Sequence, residues 1–121
     1  MDSETPDMFI RETGGVTLVR LKATNITAAT DVARITNAFA AMLKGGKRKV
    51  IIDFKLVEHA GSSMLGLIIS IQKQIKELNG RLVISHPENI EELLRVSHTT
   101  HLFKLAPDSR AAMDIVTGKV K

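Results

Sequence analysis

The chain has 121 residues, 44% hydrophobic and 25% charged, which fits one globular domain and excludes disorder as a global description. Its four aromatic residues are all phenylalanine and cysteine is absent, which argues against base-stacking nucleic-acid modules and excludes thiol catalysis, disulfides and cysteine zinc sites. The net charge is +4, and the basic cluster at residues 44–49 is typical of a solvated turn, so we expect no direct binding to nucleic acid.

The N-terminal part predicts a leader, a hairpin and a helix. Residues 1–7 are mostly acidic or polar, and we expect a flexible leader there. Apolar residues at 8–10 and 16–21 flank Gly14-Gly15, a pattern typical of a β-hairpin. From about Thr30 the apolar residues recur at helical spacing as far as the next glycine pair, which predicts the first helix.

Strands and helices are predicted to alternate after the hairpin. Residues 50–54 and 82–85 are largely apolar and β-branched, as in central strands buried on both faces. Helical spacing predicts a helix over about 63–79, with a core face formed by Met64, Ile68, Ile71, Ile75 and Leu78.

The C-terminal part predicts two more helices and one strand. A helix starts near Pro87, a short strand covers residues 102–105, and Asp108 caps a final helix. The fold class is therefore α/β, a single domain with a mixed β-sheet of about five strands and about four helices in the order ββαβαβαβα.

Motifs for catalysis and metal binding are not found. The chain lacks a phosphate loop, a dinucleotide fingerprint and a G-x-S-x-G serine motif. The histidines are dispersed along the chain, at His59, His86, His98 and His101. We therefore expect no enzyme, no cofactor and no metal site.

Ser62 follows the apolar strand predicted at residues 50–54 and lies at the start of the most hydrophobic helix of the chain. One interpretation is structural: Ser62 is the N-cap, and Gly66 lets the helix pack close to the sheet. The other is functional: phosphorylation would add a charge of about −1.5 to −2 and change a docking surface without changing the fold.

Several segments resemble the STAS domain of bacterial anti-anti-sigma factors. Residues 50–54 are similar to the family's hydrophobic strand ending in aspartate, residues 61–67 to its Asp-Ser-Ser-Gly-Leu-Gly run, and residues 79–84 to its Gly-Gly-x-Leu segment. Residues 26–29 and 102–105 match its Leu-Asp-Ala-Ala region and its closing strand. The resemblance covers roughly residues 8–117, with the same order of elements.

The resemblance implies a non-enzymatic anti-sigma factor antagonist. Members of the family bind a serine-kinase anti-sigma factor, free the sigma factor, and are switched off when that kinase phosphorylates the first serine of the pair. In this chain the phosphorylated residue would be Ser62, with Ser63 as the second candidate. The partner-binding residues would be Thr27, Gly61, Ser62, Ser63 and Met64.

The chain departs from the family pattern at three of these positions. Gly61 stands where the family usually has aspartate, Met64 where it has glycine, and Thr27 where an acidic residue is common. The change at Gly61 leaves open a STAS module that is not phosphorylated and serves as a scaffold or ligand sensor. A small enzyme using Ser62 with His59 is a third hypothesis, for which neither an acid nor an oxyanion arrangement is found.

The domain plan and setting follow from these interpretations. We expect a leader at 1–7, the STAS domain at 8–117 and a tail at 118–121. The sequence has no apolar run of membrane-spanning length, so we expect a soluble cytoplasmic protein without membrane contact, as a monomer or weak dimer.

Overall fold

Short apolar segments form the strands, and longer segments with helical periodicity form the helices that cover them. The computed structural model describes residues 2–26 and 29–119. The strands are β1 (Asp2–Glu4), β2 (Met8–Thr13), β3 (Val16–Leu21), β4 (Asn25–Ile26), β5 (Lys49–Asp53), β6 (His59–Ala60), β7 (Arg81–Ser85) and β8 (Lys104–Ala106). The helices are α1 (Ala29–Lys44), α2 (Ser62–Glu77), α3 (Glu91–Val96) and α4 (Ser109–Val116), with a 3₁₀ turn at Thr100–Leu102.

The main sheet is mixed and has the strand order β1-β2-β3-β5-β7-β8. The pairs β1–β2 and β2–β3 are antiparallel, whereas β3, β5, β7 and β8 run parallel to one another. The predicted α/β class and mixed sheet are confirmed, with six strands in place of about five. The short strands β4 and β6 pair in parallel as a separate ribbon.

Helices cover both faces of the parallel part of the sheet. On one face, α1 and α2 pack over the apolar side chains of Val50, Ile52, Leu82 and Ile84. On the other, α4 packs over Ile51, Val83 and Ala106. The predicted core face of α2 is buried at Met64, Ile68, Ile71 and Ile75, whereas Leu78 follows the helix and is exposed.

No helix among the described residues is both long enough and apolar enough to span a bilayer.

The N-terminal segment differs from the expected leader. Residues 2–4 form β1, which pairs with β2 so that Asp2 lies opposite Arg11. Ion pairs join Asp2 to Arg11 and Glu4 to Lys22. The strand therefore depends on its partners across the sheet, and the polar sequence of residues 2–4 carries no apolar alternation that would indicate it.

The C-terminal elements are displaced from their predicted positions. The predicted strand at 102–105 is a 3₁₀ turn followed by β8 at Lys104–Ala106. The helix expected near Pro87 begins at Glu91, because His86 adopts a left-handed conformation with φ of 51° and the following residues form a turn. The predicted cap of α4 is confirmed, since the Asp108 carboxylate accepts a 2.8 Å hydrogen bond from the backbone N–H of Ala111.

Candidate functional site

A buried aspartate fixes the end of β5, from which the chain leads to the two candidate serines. The Asp53 side chain is 0% exposed, and its Oδ2 atom accepts a 2.7 Å hydrogen bond from Nε of Arg20 on β3. Its Oδ1 atom accepts a 2.9 Å hydrogen bond from the backbone N–H of Lys55. The carboxylate thus joins two parallel strands to the turn that follows them.

The approach segment, residues 54–61, is held to the chain that precedes α1. The N–H groups of Glu58 and His59 both donate to the carbonyl of Thr24, at 2.7 and 3.0 Å, and Gly61 N–H donates to the carbonyl of Ile26 at 3.0 Å. These bonds extend the β4–β6 ribbon. They bring the segments that precede α1 and α2 side by side.

A second tether joins the approach segment to the chain after β7. The side-chain amide of Asn89 donates a 2.9 Å hydrogen bond to the carbonyl of Val57. Phe54 N–H donates to the carbonyl of Ser85 at 3.0 Å. The segment that presents the serines is therefore fixed from two sides.

The N-terminus of α2 has a glycine cap. Gly61 is the N-cap, with φ −95° and ψ −179°, so the N-cap residue offers no side chain to the first turn, which contains no acidic residue. Ser62 is the first helical residue, so the expectation that it is the N-cap is wrong. The first N–H groups of a helix lack intrahelical acceptors and carry a partial positive charge, which leaves this end suited to an anion.

The sequence-predicted site residues differ in accessibility. Ser62 and Ser63 are exposed and Gly61 is half-buried, so these three are brought together at the surface. Met64 is only 1% exposed and its side chain belongs to the core. Thr27 lies outside the described residues.

Gly66 does not have the packing role expected for it. It is exposed, and apart from its chain neighbours and the backbone of its own helix, no atom of the described residues lies within 4 Å of the position a Cβ atom would take there. Close approach of α2 to the sheet therefore does not depend on this glycine.

The arrangement presents a hydroxyl without an adjacent base. Among the described residues, neither the Ser62 hydroxyl nor the His59 ring makes a hydrogen bond, and both residues are exposed. A serine nucleophile needs a base within hydrogen-bond reach. Across ranges 2–26 and 29–119, no group of three or more metal-binding side chains is assembled.

The supporting residues Arg20, Asp53 and Asn89 were not identified as part of this site from the sequence. An aspartate directly after an apolar strand was the one available signal for Asp53. Arg20 lies 33 positions from Asp53 and Asn89 lies 32 positions from Val57, so both contacts depend on the order of strands in the sheet.

Comparisons with known proteins agree on the kind of domain. A family model described as "Mlab, STAS domain" matches residues 9–106. BtrV of Bordetella bronchiseptica, a protein assigned as an anti-sigma factor antagonist, is 26% identical over 74 residues, which are 60% of this chain and 64% of that protein. The match thus spans less than two thirds of the relative's length.

Solved structures share the fold. An anti-sigma-factor antagonist (STAS) domain protein from Planctomyces limnophilus is 26% identical, with a TM-score of 0.78 over 93% of this chain and 99% of the other. The Bacillus cell fate determinant SpoIIAA, solved in its phosphorylated form, is 17% identical, with a TM-score of 0.68 over 89% of this chain and 98% of the other.

Proposed function

Because the chain belongs to the STAS domain family, we propose that it is an anti-sigma factor antagonist that binds a serine-kinase anti-sigma factor and is released when Ser62 is phosphorylated. The relatives assigned as anti-sigma factor antagonists support the partner class, and the phosphorylated form of SpoIIAA supports the modification. The family is regulatory, and the switch would operate in the cytoplasm, where ATP is available to the kinase.

The observation that carries this proposal is the exposed pair Ser62 and Ser63 at the glycine-capped N-terminus of α2. An exposed hydroxyl can enter the active site of a kinase. The surface proposed to contact the partner consists of Gly61, Ser62 and Ser63, together with Thr27 as predicted from the sequence. The Met64 side chain is buried and would support this surface from below.

The chemistry of the switch is a phosphoryl transfer. The Ser62 hydroxyl oxygen forms a bond to the γ-phosphorus of ATP, the bond from that phosphorus to the bridging oxygen breaks, and the hydroxyl proton passes to a base of the kinase. The product carries a charge of about −1.5 to −2. Since a helix N-terminus favours negative charge, the phosphate would leave α2 folded and change only the docking surface.

The test uses the protein and its variants as bait for capture from native lysate. We expect the parent and Ser62→Ala to retain a protein with a serine-kinase domain, and Ser62→Asp to lose it. A carboxylate at this helix end favours the helix by about 0.3–1 kcal/mol, so Ser62→Asp should melt no lower than the parent. Calorimetry with the purified partner then gives the change in affinity.

Two further variants locate the effect. Ser70 is also exposed on α2, so Ser70→Asp is the matched control and should retain the partner. Loss of the partner in Ser63→Asp alone would move the switch to the second serine. Undiminished affinity in Ser62→Asp would contradict the proposal. Since the proposed complex forms with unphosphorylated protein, the non-phosphorylated scaffold would be favoured if neither serine gained a phosphate when the captured complex was incubated with magnesium and ATP.

A separate prediction concerns Gly61. Its backbone is in the extended region, with φ −95° and ψ −179°, which aspartate adopts readily at an N-cap. We expect Gly61→Asp to keep or slightly raise the melting temperature, because a carboxylate there can accept a hydrogen bond from the first turn. The ordered loop and added carboxylate should also make Ser62 a faster substrate for the cognate kinase.

Single-turnover phosphorylation of the parent and Gly61→Asp, alongside thermal melts, checks this prediction. Equal or slower phosphorylation of a variant that melts like the parent would show that the acidic residue is not limiting. A lowered melting temperature would contradict the expected capping.

A further inference from the structure

A cavity of about 580 Å³ lies at the end of α2 remote from Ser62. Its walls come from the last turns of α2, the starts of β7 and β8, the 3₁₀ turn and the end of α4. Ser62 and Lys76 are fourteen positions apart on one helix, about 21 Å along its axis. The cavity is therefore separate from the surface proposed to bind the partner.

The lining combines basic side chains with an apolar wall. The basic groups are Lys76, Arg81, His101 and Lys104, and no aspartate or glutamate among the described residues lines the cavity. Leu82 and Phe103 contribute buried apolar side chains. The cavity thus offers positive charge beside apolar surface.

The basic groups are not neutralised by neighbours. Among the described residues, Lys76, Arg81 and Lys104 form no ion pair. Lys47 differs, since it is paired with Glu12, and its hydrogen bond holds the pKa of that carboxyl below its ordinary value. An anion entering the cavity would therefore meet cations without carboxylate partners.

A glycine beside Arg81 and a hydrogen bond from Gln72 shape the walls of the cavity. Gly118 has φ of +84°, and Nη1 of Arg81 lies 3.1 Å from the position a Cβ atom would take there, so the glycine leaves room for the guanidinium. The side-chain amide of Gln72 donates a 2.7 Å hydrogen bond to the carbonyl of Leu102, which holds the 3₁₀ turn against α2.

We propose that this cavity binds a small amphipathic organic anion, a carboxylate or phosphate monoester with a short apolar chain. The Arg81 guanidinium presents paired donors to the anionic oxygens, with Lys76 and Lys104 adding positive charge. The apolar chain packs on Leu82 and Phe103. The cavity volume is in the range of small-molecule sites.

The test measures binding of octanoate and octyl phosphate to the full chain by calorimetry and by backbone amide chemical shifts. We expect both probes to bind and to shift the amides of residues that line the cavity. Arg81→Gln and Lys76→Gln should weaken binding at least about tenfold, because a hydrogen bond to a charged group is lost. Lys73→Gln is the matched control, an exposed lysine on the same helix outside the cavity, and should bind like the parent.

Further probes separate the contribution of the charge to binding from that of the apolar chain. Octanol should bind more weakly than octanoate because it lacks the charge, and inorganic phosphate more weakly than octyl phosphate because it lacks the chain. Equal binding in either comparison, or equal binding by Arg81→Gln and the parent, would overturn the proposal. Ser62→Asp should bind octanoate like the parent, which keeps this result distinct from the partner switch.

Discussion

Replacing Arg20 by alanine is expected to lower the free energy of unfolding by about 3–5 kcal/mol, because it leaves the Asp53 carboxylate buried without its cationic partner. Asp53 is 0% exposed, whereas the Arg20 side chain is 34% exposed. Among the residues that the structure describes, the remaining hydrogen-bond donor to this carboxylate would be the backbone N–H of Lys55. A loss of this size is a large part of the stability of an ordinary small domain.

Arg11→Ala is the matched control for Arg20→Ala. Arg11 lies on the neighbouring strand β2 and pairs with Asp2, but both side chains are 65% exposed. Exposed ion pairs contribute about 0–1 kcal/mol, so this variant should unfold at nearly the parent's urea concentration. Equal losses in the two variants, measured by urea unfolding, would show that the buried Arg20–Asp53 pair contributes no more to the free energy of unfolding than the exposed pair.

A double variant measures the interaction energy between Arg20 and Asp53, apart from what each side chain contributes through its other contacts. Arg20→Ala combined with Asp53→Ala removes both charges, so it should lose less stability than the two single variants added together. Additive losses would mean that the ion pair itself contributes little. The same variants report on the candidate site, because Asp53 also holds the turn that begins the approach segment.

The parallel part of the sheet and its covering helices could be predicted from sequence patterns that span only a few neighbouring residues. The apolar run at residues 50–52 is typical of a strand covered on both faces, and α4 on one side with α2 on the other does cover it. The alternation of strands and helices then predicted parallel pairing. The exposed serines were found for a similar reason, since they lie at the start of a helix that the spacing of apolar residues predicts.

The remaining features depend on partners remote in sequence. β1 is polar and forms against β2, and the two-residue strands β4 and β6 exist through their pairing with each other. The start of α3 was misplaced because the left-handed turn at His86 carries no glycine to indicate it. Elements so short have no periodicity of their own, so the sequence offers little to detect.

The support beneath the candidate site was harder to predict than the site itself. Arg20 and Asp53 are register partners on β3 and β5, a relation that appears only once the order and register of the strands are known. The N-cap of α2 differs from the prediction by one residue. Ser62 has the side chain of a good N-cap, but Gly61 is the N-cap and Ser62 is the first residue of the helix.

Replacing Ile71 by alanine is expected to lower the free energy of unfolding by about 2–5 kcal/mol, as truncations of buried aliphatic side chains do. Ile71 is 2% exposed and belongs to the core between α2 and the sheet. The cost combines lost burial with the cavity that rigid neighbours leave behind.

Ile69→Ala is the matched control for Ile71→Ala, since Ile69 lies on the same helix but is only partly buried. It removes the same atoms and changes helix propensity equally, so a smaller loss in urea unfolding would isolate the contribution of the core position. A loss below about 0.5 kcal/mol at Ile71, well under the range for core truncations, would contradict the placement of this helix face. Because α2 begins at Ser62, a confirmed loss would also mean that the serine is presented by a helix anchored through its buried face. In the proposed switch, such a helix would let a phosphate at its exposed end act on a partner without loosening the fold.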